Sequence, residues 1–154
     1  MSTITLEAIK ARHDQLGEQI EQFEAQAKAK ASRILAVHPA TIELRSGEHY
    51  AGTVLDESGA VKHHLILMAD RPSKRLNWKD AKAWASKLGG ALPDRQEQAL
   101  LFANCKAHLD SGWHWSSQEH EEDASAAWYC YFSYGDQDGY HKSYEGSAVA
   151  VRRG

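Results

Sequence analysis

The chain is poor in the features that announce most small functions. It holds 2 cysteines, Cys105 and Cys130, in 154 residues, too few for the disulfide framework of a small secreted scaffold. Two buried thiols are expected instead, because free cysteine packs as a small hydrophobe. A basic excess is missing too: 18 Lys and Arg stand against 21 Asp and Glu, a net charge of -3. A general nucleic-acid binder carries a marked basic patch, so no nucleic acid is expected as a partner. No apolar run approaches the ~20 residues of a membrane helix, and the first residues lack the basic-then-apolar pattern of a signal peptide. Membrane insertion is not expected, and action outside a cell would need another exit, such as lysis or assembly into a particle.

Catalytic and metal patterns are equally scarce. Among 9 histidines none stands at a Cys-x-x-Cys, His-x-x-x-His or His-Glu-x-x-His spacing. His63 and His64 are adjacent on a strand pattern, so their rings point to opposite faces and cannot share a metal. Asp136-Gln137-Asp138-Gly139 resembles the start of a calcium loop, but it lacks the third acidic ligand and the distal glutamate. It reads as a hairpin turn. There is no Gly-x-Ser-x-Gly elbow, phosphate loop or dinucleotide fingerprint. Neither a metal, a cofactor nor catalytic residues are expected, and the chain reads as a binding protein, not an enzyme.

What the chain does have begins with a helical stretch from about Thr3 to Val37, rich in Ala, Glu, Gln, Lys and Arg, all good helix formers. Leu6, Ile9, His13, Leu16, Ile20, Phe23, Ala27, Lys30 and Ile34 follow at alternating steps of three and four. That is a heptad frame, with Leu6, His13, Ile20, Ala27 and Ile34 at one seam position and Ile9, Leu16, Phe23 and Lys30 at the other. A stripe this narrow calls for copies of itself or another helix. The alternative is a helix folded back on its own domain. His38-Pro39 ends the pattern, so residues 1–38 read as an N-terminal oligomerising helix and 39–154 as a binding domain.

Within the domain, Thr41 to Arg45 alternates as a half-buried strand. Ser46-Gly47-Glu48 reads as a turn, Tyr50 to Leu55 as a second strand, and Asp56-Glu57-Ser58-Gly59 as the loop leading to a third, Val61 to Met68. Asn77 caps a helix whose apolar stripe is Trp78, Ala81, Ala85 and Leu88, stopped by Gly89-Gly90. Asp94 and Glu97 form a capping-box pair for the next helix, where Gln98, Leu101, Phe102, Cys105 and Leu109 share a face. From Gly112 the chain is strand and loop. Alternation places Trp128, Cys130 and Phe132 inward and Tyr129 and Tyr131 outward; the last strand buries Val149 and Val151 and leaves Arg152 and Arg153 solvated. The order implies an α+β domain, two helices packed on antiparallel sheets.

Several of these residues carry a resemblance. The series Asn77-Trp78-x-x-Ala81, Leu88-Gly89-Gly90, Leu92-Pro93-Asp94-Arg95-x-Glu97, Trp113-x-Trp115-Ser116-Ser117, Ala127-Trp128, Phe132 and Ala148-Val149-Ala150-Val151-Arg152-Arg153 resembles the Lcl C-terminal family of phage tail fibres and bacterial surface proteins. That family is similar to the C-type-lectin-like fold and to the variable receptor-binding proteins of diversity-generating retroelements. The resemblance spans roughly Thr41 to Gly154. It implies a phage or prophage structural protein of tail-fibre or receptor-binding type, made in the bacterial cytoplasm, placed in the virion, and trimeric through the helix, as fibre proteins often are. It implies a ligand surface at Tyr129, Tyr131, Tyr134, Asp136, Gln137, Asp138, Tyr140, His141 and Tyr144, facing a host-surface receptor or another phage structural protein. Independently, exposed tyrosines give large contact area with few rotatable bonds and a hydroxyl to hydrogen-bond; the alternative is that some of them complete the core. The calcium-dependent sugar signatures of such lectins, Glu-Pro-Asn, Gln-Pro-Asp and Trp-Asn-Asp, are absent. Three rival readings are an intracellular prophage protein that inhibits a host protein, an enzyme of the formylglycine-generating type, which would need Cys105 and Cys130, and a purely architectural fibre or capsid protein with no receptor.

Overall fold

The computed structural model describes residues 3–32 and 34–154. The chain divides into two units, residues 1–40 and 41–154. The fold is α+β: an N-terminal helix, then two helices and two small antiparallel sheets.

The first unit contains α1, Leu6–Lys30, capped by the Thr5 side chain, which accepts from the Ala8 N–H at 3.2 Å. It is shorter than the sequence pattern predicts. Ala31 is already extended, with φ -63° and ψ 128°, so Ile34 lies beyond the helix and cannot extend the seam as a helical position. Arg33, inside the predicted helix, falls outside the described residues. Ser32 is a weak helix former that competes for backbone hydrogen bonds, and helix ends fray where no packing holds them. At ~1.5 Å per residue the 25 residues of α1 span roughly 37 Å. None of them is buried.

In the second unit β1 (His49–Leu55) pairs antiparallel with β2 (Val61–Leu67), and β2 pairs with β6 (Val151–Arg153). The hairpin loop is closed by Asp56, whose carboxylate accepts from the Ser58 and Ala60 N–H groups. α2 (Trp78–Lys87) and α3 (Arg95–Cys105) follow, and a 3₁₀ turn at Lys106–His108 extends α3. The second sheet has the order β3 (Trp113–Glu119), β4 (Ala126–Tyr131), β5 (Asp136–His141). Both helix starts are set by the residues the sequence marks. Asn77 accepts from Asp80 N–H, and Asp94 and Glu97 each accept from the other's backbone, the full capping box.

Three expectations are corrected here. Thr41 to Arg45 is not a strand: side chains take its backbone groups instead, Glu48 accepting from Arg45 N–H and Arg152 donating to the Glu43 carbonyl. Arg152 and Arg153 are not free in solvent. Arg152 forks onto the buried carboxylate of Glu48 at 2.8 and 2.7 Å, and Arg153 onto that of Glu97 at 3.0 and 2.6 Å. Asp136 to Gly139 is strand, not turn; the turn lies earlier, at 132–135, where Gly135 takes φ +83°.

The closing segment explains why small and large residues alternate in Ala148-Val149-Ala150-Val151. Both of its faces are buried, each in a different core. Val149 and Val151 join Leu65, Leu67, Leu101, Cys130 and Phe132; Ala148 and Ala150 join Trp78, Ala85, Leu92 and Trp115. The same segment bonds to β3 through Ser147, to Met68 beyond β2 through Ala150, and to Ala91 through Val151, so it stitches the two sheets together. The two buried indoles, Trp78 and Trp115, donate to the Ser116 and Leu76 carbonyls at 2.8 and 2.9 Å, which removes the penalty of an unpaired buried N–H.

Candidate recognition face

The register of the second sheet sorts the predicted site residues. Opposite one another across β4 and β5 stand Ala127 and Tyr140, Tyr129 and Asp138, and Tyr131 and Asp136. Trp113 and Trp115 on β3 lie opposite Tyr131 and Tyr129. Since successive strand residues alternate faces, Trp113, Trp115, Tyr129, Tyr131, Asp136, Asp138 and Tyr140 share one face.

On that face the rings form a graded ladder. Buried Trp115 meets Trp113 edge-on at 4.9 Å between centroids, Trp113 meets Tyr140 at 4.8 Å, Tyr140 stacks on Tyr129 at 4.7 Å, and Tyr144 meets Tyr140 edge-on at 5.5 Å. Exposure rises along it, from 0% at Trp115 to 38% at Tyr140 and 55% at Tyr144. The ladder thus runs from the second core to the edge strand β5. Tyr134, on the turn, is 82% exposed and lies parallel to Tyr131 at 6.1 Å. Asp136 and Asp138 are exposed beside the rings. Burial, then the nearby Asp138 and Tyr140, raises the Tyr129 pKa, so its phenol keeps its proton and remains a donor.

Two of the predicted residues leave this face. Gln137 lies opposite Cys130 on the reverse side, where it accepts from Arg95 Nε at 2.9 Å and donates to the Arg95 carbonyl at 2.8 Å. It clamps β5 to the start of α3. His141 sits opposite Ala126 at the strand end; its Nδ1 is 2.7 Å from Ser143 Oγ, and its ring is 6.2 Å from that of Tyr144. It borders the face from the turn after β5. Trp128 and Tyr129 also differ from the inward–outward assignment: both are half-buried. Tyr129 packs against the second core, while Trp128 lies under the Arg95 guanidinium at 3.6 Å and stacks on His120 at 4.6 Å.

Trp113 is the residue the site reading missed. The Trp-x-Trp spacing put it on the face of Trp115, and the tyrosines opposite on β4 were the available signal. What was not visible is Gly146. A Cβ there would overlap the Trp113 ring, so glycine leaves room for the ring beside the closing segment, where it packs against Tyr140.

Both thiols are buried. Burial raises the Cys105 pKa and pushes that of Cys130 up to about 11. His114 is buried, which lowers its pKa to about 4; its neutral ring donates from Nδ1 to the Gly112 carbonyl at 2.9 Å. Among the described residues no cluster of three or more His, Cys, Asp or Glu is placed to hold a metal ion, and no helix is long and apolar enough to cross a membrane. No family model matches the chain, and no curated protein matches it significantly.

Proposed function

We propose that the chain is a multimeric recognition protein of a phage or prophage-derived particle, in which a C-type-lectin-like domain binds a host-surface ligand or another virion protein without breaking a bond. The observation that carries this reading is the ring ladder. It is anchored in the core at Trp115 and ends in the exposed Tyr140 on an edge strand and Tyr144 in the turn after it. Aromatic side chains held this firmly lose little conformational freedom on binding. The C-type-lectin-like assignment is supported by the two helices inserted between the first hairpin and the second sheet, and by the last strand returning to the first sheet. The buried thiols, disfavoured as thiolates, support binding over a cysteine-based reaction.

Association through α1 is the second half of the proposal. Leu6, Ile9, Leu16, Ile20 and Phe23 are 49–72% exposed in the single chain, and His13 and Ala27 are exposed between them. Joining three copies along this stripe would bury it and turn a weak single-site contact into avid attachment.

The test is competition. Purified chain added to host cells should block adsorption of the parent particle, and the Tyr140→Ala/Tyr144→Ala double variant should lose at least ~2 kcal/mol of that competition, the scale of a hot-spot pair. Equal blocking by both proteins, or absence of the chain from purified particles by mass spectrometry, would remove the reading.

A further inference from the structure

A second site lies away from the tyrosines. The loop after β2 borders two adjoining open hollows of about 390 and 180 Å³ that share Arg71, Pro72 and Lys74, the first set against α2 and the second against Asp110, Ser147 and Ala148. The first falls at the lower end of the size range of small-ligand sites (~300–1,000 Å³). Lys87 and Trp84 from α2 line the first hollow, and Arg75 lines the second. Four cations face two carboxylates, Asp80 and Asp110; this is a local positive excess on a chain whose net charge is -3.

Arg95, Lys106, Lys142, Arg152 and Arg153 each donate to a named acceptor. Among the described residues Lys74, Arg75 and Lys87 have no hydrogen-bond acceptor and no ion pair. Arg45, Lys62, Lys79 and Lys82 of the same unit likewise donate to no acceptor among the described residues, and what sets Arg71, Lys74, Arg75 and Lys87 apart is that they gather around these adjoining hollows. Arg71 is held rigid: Nη1 donates to the Met68 and Asp70 carbonyls at 2.6 and 2.8 Å, and Nη2 to the His108 carbonyl at 3.1 Å. That leaves its Nε–H and one Nη2–H unspent, with Asp110 and Asp70 near its charge but neither accepting a hydrogen bond from it. Trp84 adds a half-buried ring, and its indole N–H likewise makes no hydrogen bond among the described residues. A concave wall with unspent cationic donors concentrates positive potential. A flat indole beside it suits the apolar face of a pyranose ring.

We propose that this hollow binds an anionic saccharide, its acid group held by Arg71, Lys74 and Arg75 and one ring packed on Trp84. The site is separate from the recognition face and stands whether or not that reading holds.

Titration of the full chain with trigalacturonate, followed by the indole N–H resonances in heteronuclear NMR, tests it. Saturable binding that shifts the Trp84 indole and weakens with salt is expected. Maltotriose, the neutral counterpart, should bind at least about tenfold more weakly. The Lys74→Ala/Lys87→Ala variant, altered only at exposed side chains, should bind about tenfold more weakly, as loss of two charge-assisted contacts implies. Equal binding of maltotriose overturns the anionic class, and inorganic phosphate binding as tightly as trigalacturonate overturns the saccharide. Shifts confined to the Trp113 indole, or unchanged affinity in the double lysine variant, place the ligand elsewhere and overturn the site.

Discussion

The N-terminal helix and the helices of the second unit use similar residues and treat them oppositely. α1 leaves Leu16, Ile20 and Phe23 exposed and buries nothing. α3, only 11 residues long, buries Glu97 and Gln98 beside Leu101 and Cys105. Apolar character therefore does not decide burial here; neighbours do. α3 meets β1 and a returning C-terminal strand that brings Arg153 to its polar side chain. The stripe of α1 meets no complementary surface among the described residues of its own unit, which is what the proposed association of copies would supply.

The strongest way to break this contrast is at Glu97. Its carboxylate is fully buried and accepts from Arg153, from the Asp94 N–H and from His63 Nε2 at 3.1 Å. Burial alone would raise its pKa; the Arg153 and Asp94 hydrogen bonds outweigh that, and the net shift is downward. Glu97→Ala strips three donors of their charged acceptor and should destabilise the second unit by about 2–4 kcal/mol in urea unfolding, less than a pair buried on both sides because the Arg153 side chain is 41% exposed. Glu18→Ala, on exposed α1, should change stability by less than about 0.5 kcal/mol.

A smaller effect is expected at Glu48, whose pair with Arg152 ties the loop before β1 to the last strand. The hydrogen bonds from Arg152 hold its pKa at about 2, below the ordinary 4.5. A carboxylate with a lowered folded pKa stabilises the fold above its unfolded pKa, and this is lost as protons bind on the way down. Stability should therefore be level above about pH 5 on this account and fall between about 4.5 and 2. In Arg152→Ala much of that acid-dependent fall should disappear. Thermal unfolding of both proteins across this range is the check, and an unchanged acid limb in the variant would remove the pair as its cause.

How much of this was legible differs by kind. The caps at Asn77 and Asp94 are local chemistry, read directly from side chains three residues apart. The core set of the closing strand was half legible: Val149 and Val151 follow from alternation, but a second buried face at Ala148 and Ala150 requires a core on each side of the segment. The tyrosine face was legible in outline because alternation sorts side chains whatever the strand pairs with. Its details failed where register decides. Placing the turn at Asp136–Gly139 instead of 132–135 hid the fact that Gln137 turns toward Arg95. Trp113 depended on Gly146, and the basic hollow on Lys74 and Lys87 meeting through packing, which no local spacing announces.

The finest test of the contrast lies within the stripe itself. Ile20 and Ile34 both occupy the same heptad position by spacing, yet Ile20 is in α1 and Ile34 is four residues beyond its end, 98% exposed. If copies associate through helical seams, Ile20→Ser removes a side chain that the assembly buries and should weaken association by about 1–2 kcal/mol per chain, part of the ~1.5–3 kcal/mol of a fully buried isoleucine. Ile34→Ser should change it by less than about 0.5 kcal/mol, as for any exposed position. Sedimentation equilibrium of the full chain distinguishes them. Equal losses would mean that the helix lengthens on assembly, carrying the seam to Ile34 as the spacing predicts. No loss from either would mean that the stripe does not join copies at all.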